Sequence, residues 1–80
     1  MVAGSRGSAS RASILRMLLA NPQNANQLAS ALDLDYSTVK HHLHVLQRHG
    51  LVFAEASDGY ARTFHPTPRV RDDLASYLFP

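Results

Sequence analysis

The side chains best suited to chemistry are concentrated between residues 36 and 48, which read YSTVKHHLHVLQR. Ser37, Thr38, Lys40, His41 and His44 can each donate a hydrogen bond, and Lys40 carries a positive charge. If Val39, Leu43 and Leu46, spaced at i, i+4 and i+7, turn inward on a helix, those donors are left on its outer side. Such a face suits an acceptor-rich polyanion. The major groove of double-stranded DNA, about 12 Å wide, admits one helix, displays acceptors on its base edges and is lined by phosphates. Ser37 and Thr38 stand at the helix start, placed for phosphate or base-edge contact, while Lys40, His41 and His44 reach guanine acceptors or the backbone. Tyr36 either packs inward or offers its hydroxyl to a phosphate. Arg48, toward the far end of the helix, and Arg62, beyond it, complete the candidate contacts.

Other chemistries fare worse. The histidines at 41, 42, 44 and 49 invite a metal, and His41 and His44 lie one helical turn apart. His42 points elsewhere, however, and no paired carboxylate sits nearby, so no metal and no cofactor is expected. The absence of cysteine excludes disulfides, thiolate zinc sites and cysteine nucleophiles. With no glycine-rich phosphate loop and too few carboxylates near the histidines for an acid–base pair, an enzyme is not expected.

The 80 residues give room for one domain, which at this size buries only about 60% of its unfolded surface. The chain is 45% hydrophobic and 18% charged, and no apolar run approaches the ~20 residues of a membrane span. A cytoplasmic, nucleoid-associated protein is expected. A net charge of +2 favours a polyanionic partner only mildly, and the placement of Lys40, Arg48 and Arg62 says more than the sum.

The elements that must position these residues follow from periodicity and breakers. Residues 1–9 are small and polar, and are expected to form a flexible arm ahead of a single domain over 10–80. A first helix is predicted from Ser10 to Asn21, carrying Ile14, Leu15, Leu18 and Leu19 and ended by Pro22. Asn24 with Gln27 makes a capping-box pattern for a second helix bearing Leu28, Ala31 and Leu32. Asp33-Leu34-Asp35 is a short turn, with Asp35 the N-cap of the third helix, which stops at Gly50. The period then changes to 2, with Leu51 and Phe53, then Tyr60, Arg62 and Phe64, around the hairpin signal Ser57-Asp58-Gly59. Thr67-Pro68 opens a last helix with Val70, Leu74, Tyr77 and Leu78 on its apolar face. The predicted fold is mainly α with a small β-hairpin, in the order helix, helix, helix, strand, strand, helix.

Residues 24–52, NANQLASALDLDYSTVKHHLHVLQRHGLV, resemble the winged helix-turn-helix of ArsR-type transcriptional regulators. The likeness rests on Leu28-Ala29, Ser37-Thr38-Val39, His42-Leu43, Leu46 and Gly50-Leu51-Val52. It implies DNA contacts at Ser37, Thr38, Lys40, His41 and His44, a wing contact at or near Arg62, and a partly buried structural role for His42. It also implies a homodimer through the terminal helices, to which Leu15, Leu19, Leu74 and Leu78 are assigned. The family's metal-sensing members use cysteines in the recognition helix, and this chain has none. The rival expectation is a winged helix that serves as a protein-interaction or transcription-machinery module without reading sequence.

Overall fold

In the computed structural model, residues 5–55 and 62–74 are described. Three helices, α1 (Ser5–Ala20), α2 (Ala25–Leu32) and α3 (Tyr36–Arg48), pack with three strands, β1 (Gln23–Asn24), β2 (Val52–Ala54) and β3 (Thr63–Pro66). A short π-helical segment, Val70–Leu74, follows. The strands form one antiparallel sheet in the order β1-β3-β2. This is the expected mainly helical fold with a small sheet, and it adds a strand that periodicity did not reveal.

α1 begins at Ser5 rather than Ser10, so the expected arm is helical over residues 5–9. That stretch holds no proline, and the Arg11 side chain lies back over it, with a β-carbon at Gly7 falling 3.2 Å from Nη1. The helix closes as predicted: the Asn21 amide donates to the Met17 carbonyl at 2.9 Å, and Pro22 follows.

α2 starts with the predicted capping box. The Gln27 amide donates to Asn24 Oδ1 at 2.8 Å, and the Asn24 amide donates to Gln27 Oε1 at 2.9 Å. Asp33 ends the helix in the left-handed conformation, φ 56° and ψ 47°, which a short polar side chain tolerates better than most. The Leu34 amide then reaches back to the Ala29 carbonyl at 3.0 Å, as in a Schellman closure. Asp35 occupies the N-cap position of α3, but its side chain makes no capping hydrogen bond. At the other end Gly50, at φ 72°, turns the chain so that the Leu51 amide donates to the Leu46 carbonyl at 2.9 Å.

The core joins Ile14, Leu15 and Leu18 of α1, Ala25, Leu28 and Ala29 of α2, and Val39, Leu43 and Leu46 of α3 with Val52 and Val70. Leu15, assigned above to a dimer surface, is 4% exposed and belongs to this core, where α1 packs against α3 and β3. Leu19 is half-buried against the same core. Leu74 lies in the π-helical segment; Tyr77 and Leu78 fall outside the described residues.

β2 and β3 pair as Val52↔Pro66, Phe53↔His65 and Ala54↔Phe64. The inward residue of β2 is Val52; Phe53 is 48% exposed and stacks on His65 with ring centroids 5.1 Å apart. The period-2 pair Leu51 and Phe53 is thus split, Leu51 packing partly against the core and Phe53 lying in solvent. Thr67, whose amide donates to the Leu51 carbonyl at 3.1 Å and whose hydroxyl donates to the Gly50 carbonyl at 3.0 Å, ties down the α3–β2 corner. The hydroxyl thus points to Gly50, and it is the Thr67 carbonyl that accepts from Val70 and Arg71 at the start of the last helical turn. The hairpin signal Ser57-Asp58-Gly59 and Tyr60 lie outside the described residues. β1 pairs Gln23 with Phe64 and Asn24 with Thr63; two residues are too few to carry a periodic signal.

Candidate nucleic-acid interface

The two halves of α3 have opposite environments. Val39, Leu43 and Leu46 are at most 2% exposed, and His42 joins them at 8%. Ser37, Lys40, His41, His44 and Arg48 are all exposed. With 3.6 residues per turn, successive residues stand about 100° apart, so these five fall on one side of the helix, opposite the core stripe. Tyr36 and Thr38 are half-buried at the margins. Gln47, absent from the sequence-based candidates, is exposed on this same face, and its position three residues after His44 and seven after Lys40 is the signal that identifies it.

The aromatic ring of Tyr36 packs against the core, and Lys40 Nζ sits over it, 5.5 Å from the ring centroid. This i, i+4 cation–π contact holds the ammonium at one margin of the face. Arg62 is exposed immediately before β3. On the outer side of the sheet, His65 Nε2 lies 2.9 Å from Glu55 Oε2.

The opposite margin is organised by His42. Arg11 Nη1 of α1 lies 3.4 Å from His42 Nδ1, and a guanidinium can only donate, so Nδ1 is the acceptor and the ring proton is on Nε2. Burial, then the positive charge of Arg11, then His41, all push the His42 pKa below its usual value. His41 lies beside it, ring centroids 6.0 Å apart and tilted by 53°. His42 is thus a neutral, structural histidine tying α1 to α3, as the resemblance implied. Among the described residues no group of three histidine or carboxylate side chains converges as for a metal ion, and no helix is long and apolar enough to cross a membrane.

The sequence profile of the family described as Helix-turn-helix domain matches residues 7–52, more than half of the chain, covering all of α1 but its first two residues and continuing through α3 to the start of β2. The chain belongs to this family. No curated protein matches it in sequence. Among solved structures, a variant of ZitR from Lactococcus lactis superposes with a TM-score of 0.80 at 17% identity, over 88% of this chain and 49% of that one. The helix-turn-helix chain thus spans about half the length of that relative, and the likeness shows the fold alone. HlyU from Vibrio cholerae gives a TM-score of 0.69 at 26% identity, over 99% of this chain and 98% of HlyU. The Zalpha domain of PKZ from Carassius auratus, solved in complex with Z-DNA, gives 0.61 at 27% identity, over 82% of this chain and all of the Zalpha chain. The architecture is a winged helix-turn-helix: α2 and α3 form the helix-turn-helix, and β2–β3 form the ribbon beside it.

Proposed function

We propose that this helix-turn-helix domain is a sequence-specific, double-stranded DNA-binding transcription regulator of the ArsR type, without catalytic activity. The observation that carries the reading is the division of α3 into a buried apolar half and an exposed half bearing Ser37, Lys40, His41, His44 and Arg48. α3 enters the major groove, with Ser37, Thr38 and Tyr36 at its start beside the backbone, Lys40, His41 and His44 at base edges or phosphates, and Arg48 and Arg62 on the flanking phosphates. The alternative of a protein-docking module calls for apolar or aromatic anchors on that face. Phe53, the one large hydrophobic that is exposed among the described residues, sits on the sheet instead. The Zalpha relative, with its duplex bound, supports a nucleic-acid role for this architecture.

The proposal includes a homodimer in the cytoplasm, closed through the chain ends and reading half-sites about 34–36 Å apart. Since Leu15 is buried within the monomer, Leu19, Leu74 and Leu78 carry the proposed contact. The test is fluorescence anisotropy with a random B-form duplex, a duplex enriched by selection from a random pool, and a left-handed duplex. The reading expects B-form binding that falls steeply with salt, and a selected site bound about 10³-fold or more above random sequence. Binding with no salt dependence, or preference for the left-handed form, overturns it.

A further inference from the structure

α3 carries cationic groups at both margins of its exposed face, but the two are built differently. Lys40 belongs to α3 and rests on Tyr36. On the other margin, beyond His41, the cation is supplied by α1: Arg11, half-exposed, is fixed by the hydrogen bond to His42 Nδ1. Two observations bear on where this guanidinium sits. Its acceptor, 3.4 Å away, is a buried ring. Gly7, one turn earlier, has no side chain where a β-carbon would crowd Nη1 to 3.2 Å and Nη2 to 3.6 Å. A glycine inside a helix costs about 0.5–1 kcal/mol relative to alanine, so the space it leaves is not there for helix stability.

Besides burial, the groups that lower the His42 pKa are Arg11 and His41. Among the described residues the hydrogen-bond partner of Arg11 is the neutral imidazole, which occupies one of its five donors. A planar fork with donors to spare beside a second imidazole is suited to an oxyanion with several acceptor oxygens.

Resting on the reading of α3 as a groove-binding helix, we propose that Arg11 and His41 form a phosphate clamp that grips one strand of the duplex while Lys40 grips the other. The groove is bounded by phosphates on both edges, and a helix lying in it needs a cation at each margin to fix its rotation about its own axis. α3 supplies Lys40 at one margin, Arg48 lies toward the middle of the face, and α1 supplies Arg11 at the other margin. His42 is the positioning residue: its lone pair aims the guanidinium, and its neutral state keeps that lone pair available. The groups facing His42 are Arg11 from α1 and His41 from α3, so protonation of His42 both removes the acceptor and adds repulsion.

The experiment is anisotropy of the full chain on a random B-form duplex between about 50 and 200 mM salt, a range in which each neutralised phosphate adds about 0.9 to the slope of log affinity against log salt. Arg11→Met keeps the aliphatic stem and is expected to lower the slope by about 0.9, Arg11→Lys to keep it, and Lys40→Met to lower it by about 0.9 independently. Unchanged slope in a folded Arg11→Met variant overturns the clamp; if Lys40→Met still lowers the slope, the groove reading stands without it, and if neither does, both fall. Should Arg11→Met not fold, the wild-type chain decides: adding duplex is expected to shift the Arg11 Nε–H resonance, and an unmoved resonance overturns the clamp.

Discussion

Acidification is expected to weaken this fold through His42. Its folded pKa lies below the unfolded value of about 6.5, first because the ring is buried and then because Arg11 and His41 are close. Above about pH 6.5 the ring is neutral in both states, and the stability its neutral form permits is fully present. As pH falls below that value the unfolded chain takes up a proton that the folded chain resists, so stability drops until the folded pKa is reached. One proton sets the ceiling on the slope, about 1.4 kcal/mol per pH unit. For a domain of 60–100 residues each kcal/mol moves Tm by roughly 4–8 °C, so one full unit inside the window costs at most about 5–11 °C.

The assay is thermal or urea unfolding followed by circular dichroism at several pH values, with wild type compared against His42→Gln. Glutamine offers a neutral acceptor to Arg11 and does not titrate, so the difference between the two pH profiles isolates His42 from the other histidines. Wild type is expected to lose stability on acidification relative to the variant. Parallel profiles, or a wild type that gains relative to the variant, would refute the account of His42 as a neutral tie between α1 and α3.

The other expectations concern the cap, the core and the contact face. Asn24→Ala removes the side-chain arm of the capping box, leaving the backbone amide of residue 24 free to donate to Gln27, and is expected to cost about 1 kcal/mol, read as a fall in Tm of roughly 4–8 °C with native helix content below the transition. Leu43→Ala, at a site 1% exposed, is expected to cost about 2–5 kcal/mol, measured by urea denaturation; a loss under about 1 kcal/mol would mean the helices collapse onto the gap. Lys40→Ala and His41→Ala are each expected to weaken binding to a selected site by about 1–3 kcal/mol with the melting curve unchanged, as measured by anisotropy. Arg62→Ala is expected to lower affinity evenly across sequences and to reduce the salt slope by about one; lost base discrimination instead would place the wing in direct readout.

Much of the architecture could be read from local signals because each depends on a few neighbouring residues. The Asn24/Gln27 box, Pro22 after α1 and Gly50 after α3 each work through hydrogen bonds or dihedrals within one turn, and all three appear where the sequence places them. The 3.6-residue period of Val39, Leu43 and Leu46 likewise determines which side of α3 stays in solvent, and with it where Lys40, His41 and His44 point. What failed to show locally depends on partners far along the chain. β1 exists because Gln23 and Asn24 meet Phe64 and Thr63, and the α3–β2 corner is tied down by bonds made by Thr67. Leu15 and Leu19 are indistinguishable in a helical stripe, yet only the packing of α1 against α3 and β3 decides that Leu15 lies in the core. The pairing of Arg11 with His42 spans two helices, so no spacing in the sequence announces it. The sequence by itself determined the helices and the exposed side of α3, because helical period and capping are short-range. Tertiary structure alone decided the strand register, the buried share of α1 and the position of the Arg11 guanidinium, because each arises where distant segments compete for the same interior.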